Sequence, residues 1–173
     1  EAQTILADYG CDSTVVALEA GQFDAQIQAA LDAGPDALIV LAGDGTAGTI
    51  ASRAGPDGPL VAPLPGGTMN MLPGALYGDR DWKTALADIL ADGIVKPVSG
   101  GEIEGQRFYV AAILGSPALW ARARESVREG KLRLAILRAR RAMNNAFSGR
   151  LRFALDGGPR RKTGALVLMK PLV

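Results

Sequence analysis

The chain has 173 residues, 48% of them hydrophobic and 21% charged, an ordinary globular composition that excludes a disordered polymer. It contains no histidine and one cysteine, Cys11. That excludes Ser-His-Asp and Cys-His nucleophilic machinery, histidine metal sites and an internal disulfide, and it fits a reduced, cytoplasmic setting. The net charge of +1 conceals a division: residues 1–119 carry fifteen acidic against five basic side chains, residues 120–173 fourteen basic against three acidic, so the second part is expected to face something anionic.

In chain order, residues 2–9 read as the end of a helix with Ile5, Leu6 and Tyr9 on one face and Gly10 as its stop. Thr14–Leu18, β-branched and apolar, reads as a short strand. Phe23, Ile27 and Leu31 recur every four residues through Gln22–Ala33, a helix ended by Gly34-Pro35. Ala37–Ala42 is a continuous apolar run, as expected of a strand buried on both faces of a parallel sheet. Gly43-Asp44-Gly45-Thr46 breaks it before a helix at Ala47–Ala54. Leu60–Ala62 is a further short buried strand, closed by Pro63-Leu64-Pro65-Gly66-Gly67-Thr68. A helix from Asp81 to Ala91 follows, capped by Asp79 or Asp81 and ended by Gly93.

Strand–helix alternation of this kind predicts an α/β fold: an open, mainly parallel sheet with helices on both faces. From Ile94 the rhythm changes. Ile94–Glu104 and Gln106–Leu114 read as paired strands around Gly105, Ala118–Phe147 as a long helix, and Leu151–Leu155 with Ala165–Met169 as a hairpin across Asp156–Pro159. The expected organisation is a nucleotide-binding α/β domain over residues 1–93 and part of an antiparallel β-rich domain with a long basic helix over residues 94–173. The longest apolar runs, Ala37–Ala42 and Phe108–Leu114, are strand-length, against the ~20 residues of a membrane-spanning helix.

The passage from the 37–42 strand through Gly43-Asp44-Gly45-Thr46 into a helix has the form of an anion site. Glycines admit a ligand close to the backbone, and a helix N-terminus offers unpaired amides and a positive dipole end. Thr46 is placed to cap the helix and to offer its hydroxyl to a phosphate. Asp44 is placed to bond backbone amides or to face a magnesium ion carried by phosphates. The competing reading of Asp-Gly is a hairpin turn, which the following helix disfavours. No Gly-Lys-Ser/Thr is present, so this is not a Walker loop. Gly43, Gly45 and Gly48 match the dinucleotide G-x-G-x-x-G only in spacing. A second loop, Pro65-Gly66-Gly67-Thr68-Met69-Asn70, follows the next strand and is expected beside the first. Together they would form a cradle, with Asn70 free to meet an adenine or ribose edge; the structural alternative is a turn with Thr68 as helix N-cap.

Leu38-Ile39-Val40-Leu41-Ala42-Gly43-Asp44-Gly45-Thr46 followed by Pro63-Leu64-Pro65-Gly66-Gly67-Thr68-Met69-Asn70 resembles the diacylglycerol kinase catalytic domain, whose hallmarks are a Gly-Gly-Asp-Gly-Thr loop and a Pro-Leu-Gly-Thr-x-Asn loop. Order, spacing and strand context agree across residues 14–93. The resemblance implies ATP with its phosphates on Gly43, Asp44, Gly45, Thr46 and Thr68, Gly67 and Asn70 nearby, and Mg²⁺ assisting transfer of the γ-phosphoryl group to a lipid hydroxyl. Sphingoid bases and NAD are alternative acceptors within the wider superfamily, and a nucleotide-binding module without turnover is the non-enzymatic alternative. The chain departs from the family pattern at Ala42 in place of the first glycine, at Gly48-Thr49 in place of an Asn-Glu pair, and at Met71-Leu72-Pro73 in place of Asp-Phe-Ala. The family's first strand is expected before residue 1, and its proposed acidic base and structural metal site after residue 173. No general base and no metal ligand are therefore assigned.

Arg122, Arg124, Arg128, Lys131, Arg133, Arg138, Arg140 and Arg141 crowd one helical stretch among Leu132, Leu134, Ile136, Leu137 and Phe147. A kinase acting on lipid must reach a membrane, and such residues suit docking at its inner surface; a solvated basic face is the alternative. Aromatic residues for base stacking are scarce, Trp120 and Phe147 only, which disfavours a nucleic-acid partner.

Overall fold

The computed structural model describes residues 1–115, 118, 126, 130, 132–148, 151–154 and 158–169. Within them the fold is mixed α/β, in two compact units, Glu1–Val110 and Ala111–Lys170.

The first unit is organised by the apolar run at 37–42. It forms β1 (Ala37–Ala42), paired in parallel with β2 (Leu60–Pro65) from Ala37 opposite Leu60 to Ala42 opposite Pro65. β2 is longer than its apolar core suggests, because Pro63 and Pro65 belong to the strand and the loop begins only at Gly66. The amides of Leu60 and Gly66 donate to Asp36 and Ala42, so even-numbered residues face β1. The prolines fall at odd positions, where a missing N–H costs the ladder nothing.

Helices α1 (Ala2–Asp8), α2 (Phe23–Asp32), α3 (Asp44–Ala54), α4 (Met71–Tyr77) and α5 (Trp82–Asp92) complete this unit with a hairpin of β3 (Gly101–Ile103) and β4 (Gln106–Phe108). Alternate residues of β1 enter different cores, as the two-residue period of a strand dictates. Val40, with Leu38 and Ala42 beside it, packs with Ile27, Ala47, Ile50 and Leu72. Ile39 lies against Leu6, Leu64, Ala85 and Leu86. Helix α5 starts where the sequence offers two aspartates. Asp81 is the cap, accepting from the amides of Lys83 at 2.9 Å and Thr84 at 3.2 Å. The β3–β4 turn has positive φ at both Glu104 and Gly105, as a two-residue type I′ connection requires.

Three expectations are corrected here. Thr14–Leu18 is not a strand, and Val15, Val16 and Leu18 are exposed. The Gln26 side chain takes the place of a ladder, donating to Ala17 O and accepting from Glu19 N. β1 is not buried on both faces, since Leu41 is exposed; among the described residues β2 is its sole partner. Residues 94–100 are not strand either, and Ile94 and Val95 lie open to solvent.

In the second unit, β5 (Ala111–Gly115) pairs antiparallel with β8 (Ala165–Met169), and β6 (Leu151–Phe153) with β7 (Arg161–Thr163). Leu151–Leu155 was expected to pair with Ala165–Met169, and this too is corrected. The chain turns at Gly164, where the Thr163 hydroxyl donates to Ala165 O, and the following residues join β5. Of the long basic stretch, Leu132–Ser148 is helix, α6. Trp120, Arg122, Arg124, Arg128, Lys131, the Phe147 side chain and the Asp156-Gly157 turn lie outside the described residues. Among the described residues no helix is long and apolar enough to cross a membrane.

Candidate functional site

Because β1 and β2 are parallel and end in register at Ala42 and Pro65, the two glycine loops leave the same sheet edge. The first is the start of α3 itself. Gly43 is the N-cap in extended conformation, and Asp44, Gly45 and Thr46 form the first helical turn. Their amides are among those an α-helix leaves without internal acceptors, and no side chain caps them. Thr46 is therefore not the cap expected of it; it stands at the third helical position, half-buried. The Thr49 hydroxyl donates to Gly45 O at 2.9 Å and ties the first turn to the second.

The second loop lies directly against the first, backbone to backbone. Gly66 N donates to Ala42 O at 3.2 Å. A Cβ on Gly66 would stand 2.7 Å from Ala42 N, and one on Gly67 would stand 2.5 Å from Gly43 Cα. Neither distance is sterically available, so glycine is required at both positions. Gly45, by contrast, has nothing within 4 Å of where its Cβ would be, and it is exposed toward solvent.

Two side chains fix the arrangement. Asp44 Oδ1 accepts from Leu72 N at 2.8 Å, so the first loop's carboxylate caps the helix that follows the second loop. Asn70, in the left-handed region at φ 48, accepts from Gly67 N at 2.7 Å and donates to Gly67 O at 3.1 Å. It closes its own loop rather than presenting its amide to a nucleobase, and it also replaces Thr68 as the N-cap position of α4. Thr68 is exposed at the loop's tip. Pro73 is accommodated in the first turn of α4, where an N–H has no helical acceptor.

The fold thus joins Gly43 to Gly67, Asp44 to the Leu72 amide and Asn70 to Gly67 by direct contact, with Gly45, Thr46 and Thr68 on the same two loops. Sequence reasoning missed Gly66, Thr49 and the Leu72 amide. The doubled glycine at 66–67 was the available signal for the first; a main-chain amide leaves none. An open depression of about 490 Å³ adjoins the second loop, lined by Thr68, Met69, Asn70, Gly74 and Arg80 among others. Arg80 is held there by the Tyr77 carbonyl at 2.7 Å and the Asp88 carboxylate at 3.0 Å.

Asp44 is the one acidic residue on either loop, and among the described residues no cluster of three potential metal ligands occurs. The donor set suits an anion gripped by amides and hydroxyls, with a single carboxylate for a cation that the anion itself brings.

The family model for the diacylglycerol kinase catalytic domain matches residues 1–103. No curated protein and no solved structure matches the chain.

Proposed function

The chain belongs to the diacylglycerol kinase catalytic-domain family, a family of kinase-type enzymes, and from that premise we propose that it transfers the γ-phosphoryl group of ATP to a lipid hydroxyl. The observation that carries this reading is the backbone contact between Gly43 and Gly67, which sets two amide-rich turns side by side at one sheet edge. The α3 amides of Asp44, Gly45 and Thr46 would hold phosphate oxygens at a positive helix end. The hydroxyls of Thr46 and Thr68 would add donors from either side. The Gly67 amide is engaged by Asn70, so Gly67 serves by letting the loops meet.

Asp44 has its second carboxylate oxygen left to meet Mg²⁺ carried on the phosphates, while the first stays on Leu72. The metal would supply charge neutralisation of the transferring group; the chain's own residues supply position. A chain without histidine suits chemistry of that kind, in which most of the rate comes from orientation and electrostatics. The reading includes an open, mainly parallel sheet with helices on both faces, the architecture in which ligands sit beyond the carboxyl ends of the strands.

The test is transfer of labelled phosphate from ATP to diacylglycerol in mixed micelles, with sphingosine and NAD as competing acceptors. Transfer to diacylglycerol that is lost on Asp44→Ala supports the proposal. ATP-induced thermal stabilisation with no transfer to any acceptor would replace it with a nucleotide-binding module.

A further inference from the structure

The loops at 43–46 and 66–70 offer an anion amides and hydroxyls but no cation, since no basic residue lies between Arg53 and Arg80. Arg53 is held by the carboxylate of Asp24. Arg80, by contrast, lines the open depression of about 490 Å³ beside the second loop, together with Thr68, Met69 and Asn70.

Arg80 reaches that place because the connection from α4 to α5 is tight. Gly78 closes α4 at φ 74, and Arg80 N donates to Gly78 O at 3.1 Å. The guanidinium is then fixed from two helices. Nη1 donates to Tyr77 O, at the end of α4, at 2.7 Å, and Nε meets Asp88 Oδ2 on α5 at 3.0 Å. Both side chains of that ion pair are about half exposed, so it orients the group more than it stabilises the fold. A guanidinium has five N–H donors, and among the described residues Nη2 has no partner. Asn70 commits its side chain to Gly67, which leaves Thr68 and Arg80 as the free side-chain donors on this wall. A planar fork held in place with one edge open suits the recognition of an oxyanion.

We propose that Arg80 and the Thr68 hydroxyl form an oxyanion subsite beside the second loop, for a phosphoryl group other than the one at the α3 amides. The subsite deepens the phosphoryl-transfer reading and rests on it for the nature of the anion. That group belongs either to the phosphate chain of the nucleotide or to a phosphomonoester such as the product. Asp79 also lines the depression, so its negative charge opposes the anion and sets an expectation of opposite sign.

Binding of inorganic tripolyphosphate and of glycerol phosphate to the full chain is measured by calorimetry. Arg80→Gln should lower the affinity for one of them on the order of tenfold, as the loss of a charge-assisted hydrogen bond predicts. Loss confined to tripolyphosphate identifies the nucleotide chain as the source, and loss confined to glycerol phosphate identifies the product. Asp79→Asn should tighten the same ligand roughly twofold. Lys96→Gln removes an equal charge from an exposed position outside the depression and should leave both affinities unaltered. Arg80 and Asp79 are exposed, so the melting temperature of each variant should stay close to the parent's. Absence of binding by the parent, equal affinities for Arg80→Gln and the parent, an equal loss in Lys96→Gln, or weaker binding by Asp79→Asn would each overturn the subsite. Arg80-dependent anion binding without transfer to any acceptor would refute the kinase reading alone. Transfer to diacylglycerol with anion binding indifferent to Arg80 would refute the subsite alone.

Discussion

At Gly66 and Gly67 the two loops approach until no side chain fits between them. Gly66→Ala or Gly67→Ala forces a Cβ into the neighbouring backbone, and the strand ends must separate. A loss of about 1–3 kcal/mol in stability is expected, the range for overpacking, read as a lowered denaturant midpoint. Gly45→Ala is the instructive contrast. Its Cβ meets open space and alanine favours helix by up to about 1 kcal/mol, so thermal stability should hold or rise. ATP-induced stabilisation should nevertheless fall, because the added methyl group lies where a ligand would approach the amides. Asp44 separates two roles in the same way. Asp44→Ala orphans the half-buried Leu72 amide, at a cost of about 1 kcal/mol or slightly more. Asp44→Asn keeps an acceptor for that amide and should preserve stability while losing the charge that the proposed function assigns to Mg²⁺. Equal melting temperatures for Ala and parent would contradict the capping role.

At the level of elements, α4 and α5 are held by side chains at their starts. The Thr84 hydroxyl, with the amides of Thr84 and Lys83, holds the Asp81 carboxyl below its ordinary value of 3.8. A depressed carboxylate contributes stability above its unfolded pKa and loses it as pH falls through the folded value. The contribution of the α5 cap is therefore complete above the usual carboxylate range and lost in more acid solution. Asp81→Asn retains the cap oxygen but cannot titrate, so its unfolding free energy should depend less steeply on pH below about 4, as measured by urea denaturation across that range. Helix α4 depends on Asn70, which tolerates its left-handed backbone and bonds Gly67 twice. Asn70→Ala should cost about 1–2 kcal/mol. Asn70→Gly should recover only the backbone part, a difference visible in paired chemical denaturation.

For the whole molecule, the boundary between compact units at Val110 and Ala111 coincides with the change in charge, since no charged residue lies between Tyr109 and Trp120. The acidic unit has two cores around one parallel pair. The basic unit contains, among its described residues, two-stranded ribbons, one of which leaves Ile113, Val167 and Met169 exposed. Isolated two-stranded ribbons are marginal in water, so hydrogen exchange should be slowest in β1 and β2 and distinctly faster in β5 and β8. Uniform protection across the two would contradict this ordering.

Much of this was legible in the sequence because it is written locally. The 37–42 run, the four-residue recurrence of Phe23, Ile27 and Leu31, the Asp81 and Gly93 punctuation and the paired glycine loops each depend on neighbours within a few positions. The errors of strand assignment share one origin. Thr14–Leu18 has strand-forming residues but lacks a partner strand among the described residues, and Ala165–Met169 pairs with β5 rather than with the segment preceding it. Pairing is a property of backbones distant in sequence, to which side-chain propensity is blind. The sequence by itself determined most of the local elements, the charge division and the two glycine loops. Only the tertiary structure decided that Asp44 caps a helix 28 positions away, that Asn70 turns inward, and that Leu132, Ile136 and Met143 of α6 are left exposed, because each depends on which surfaces the folded chain brings together and which it leaves bare.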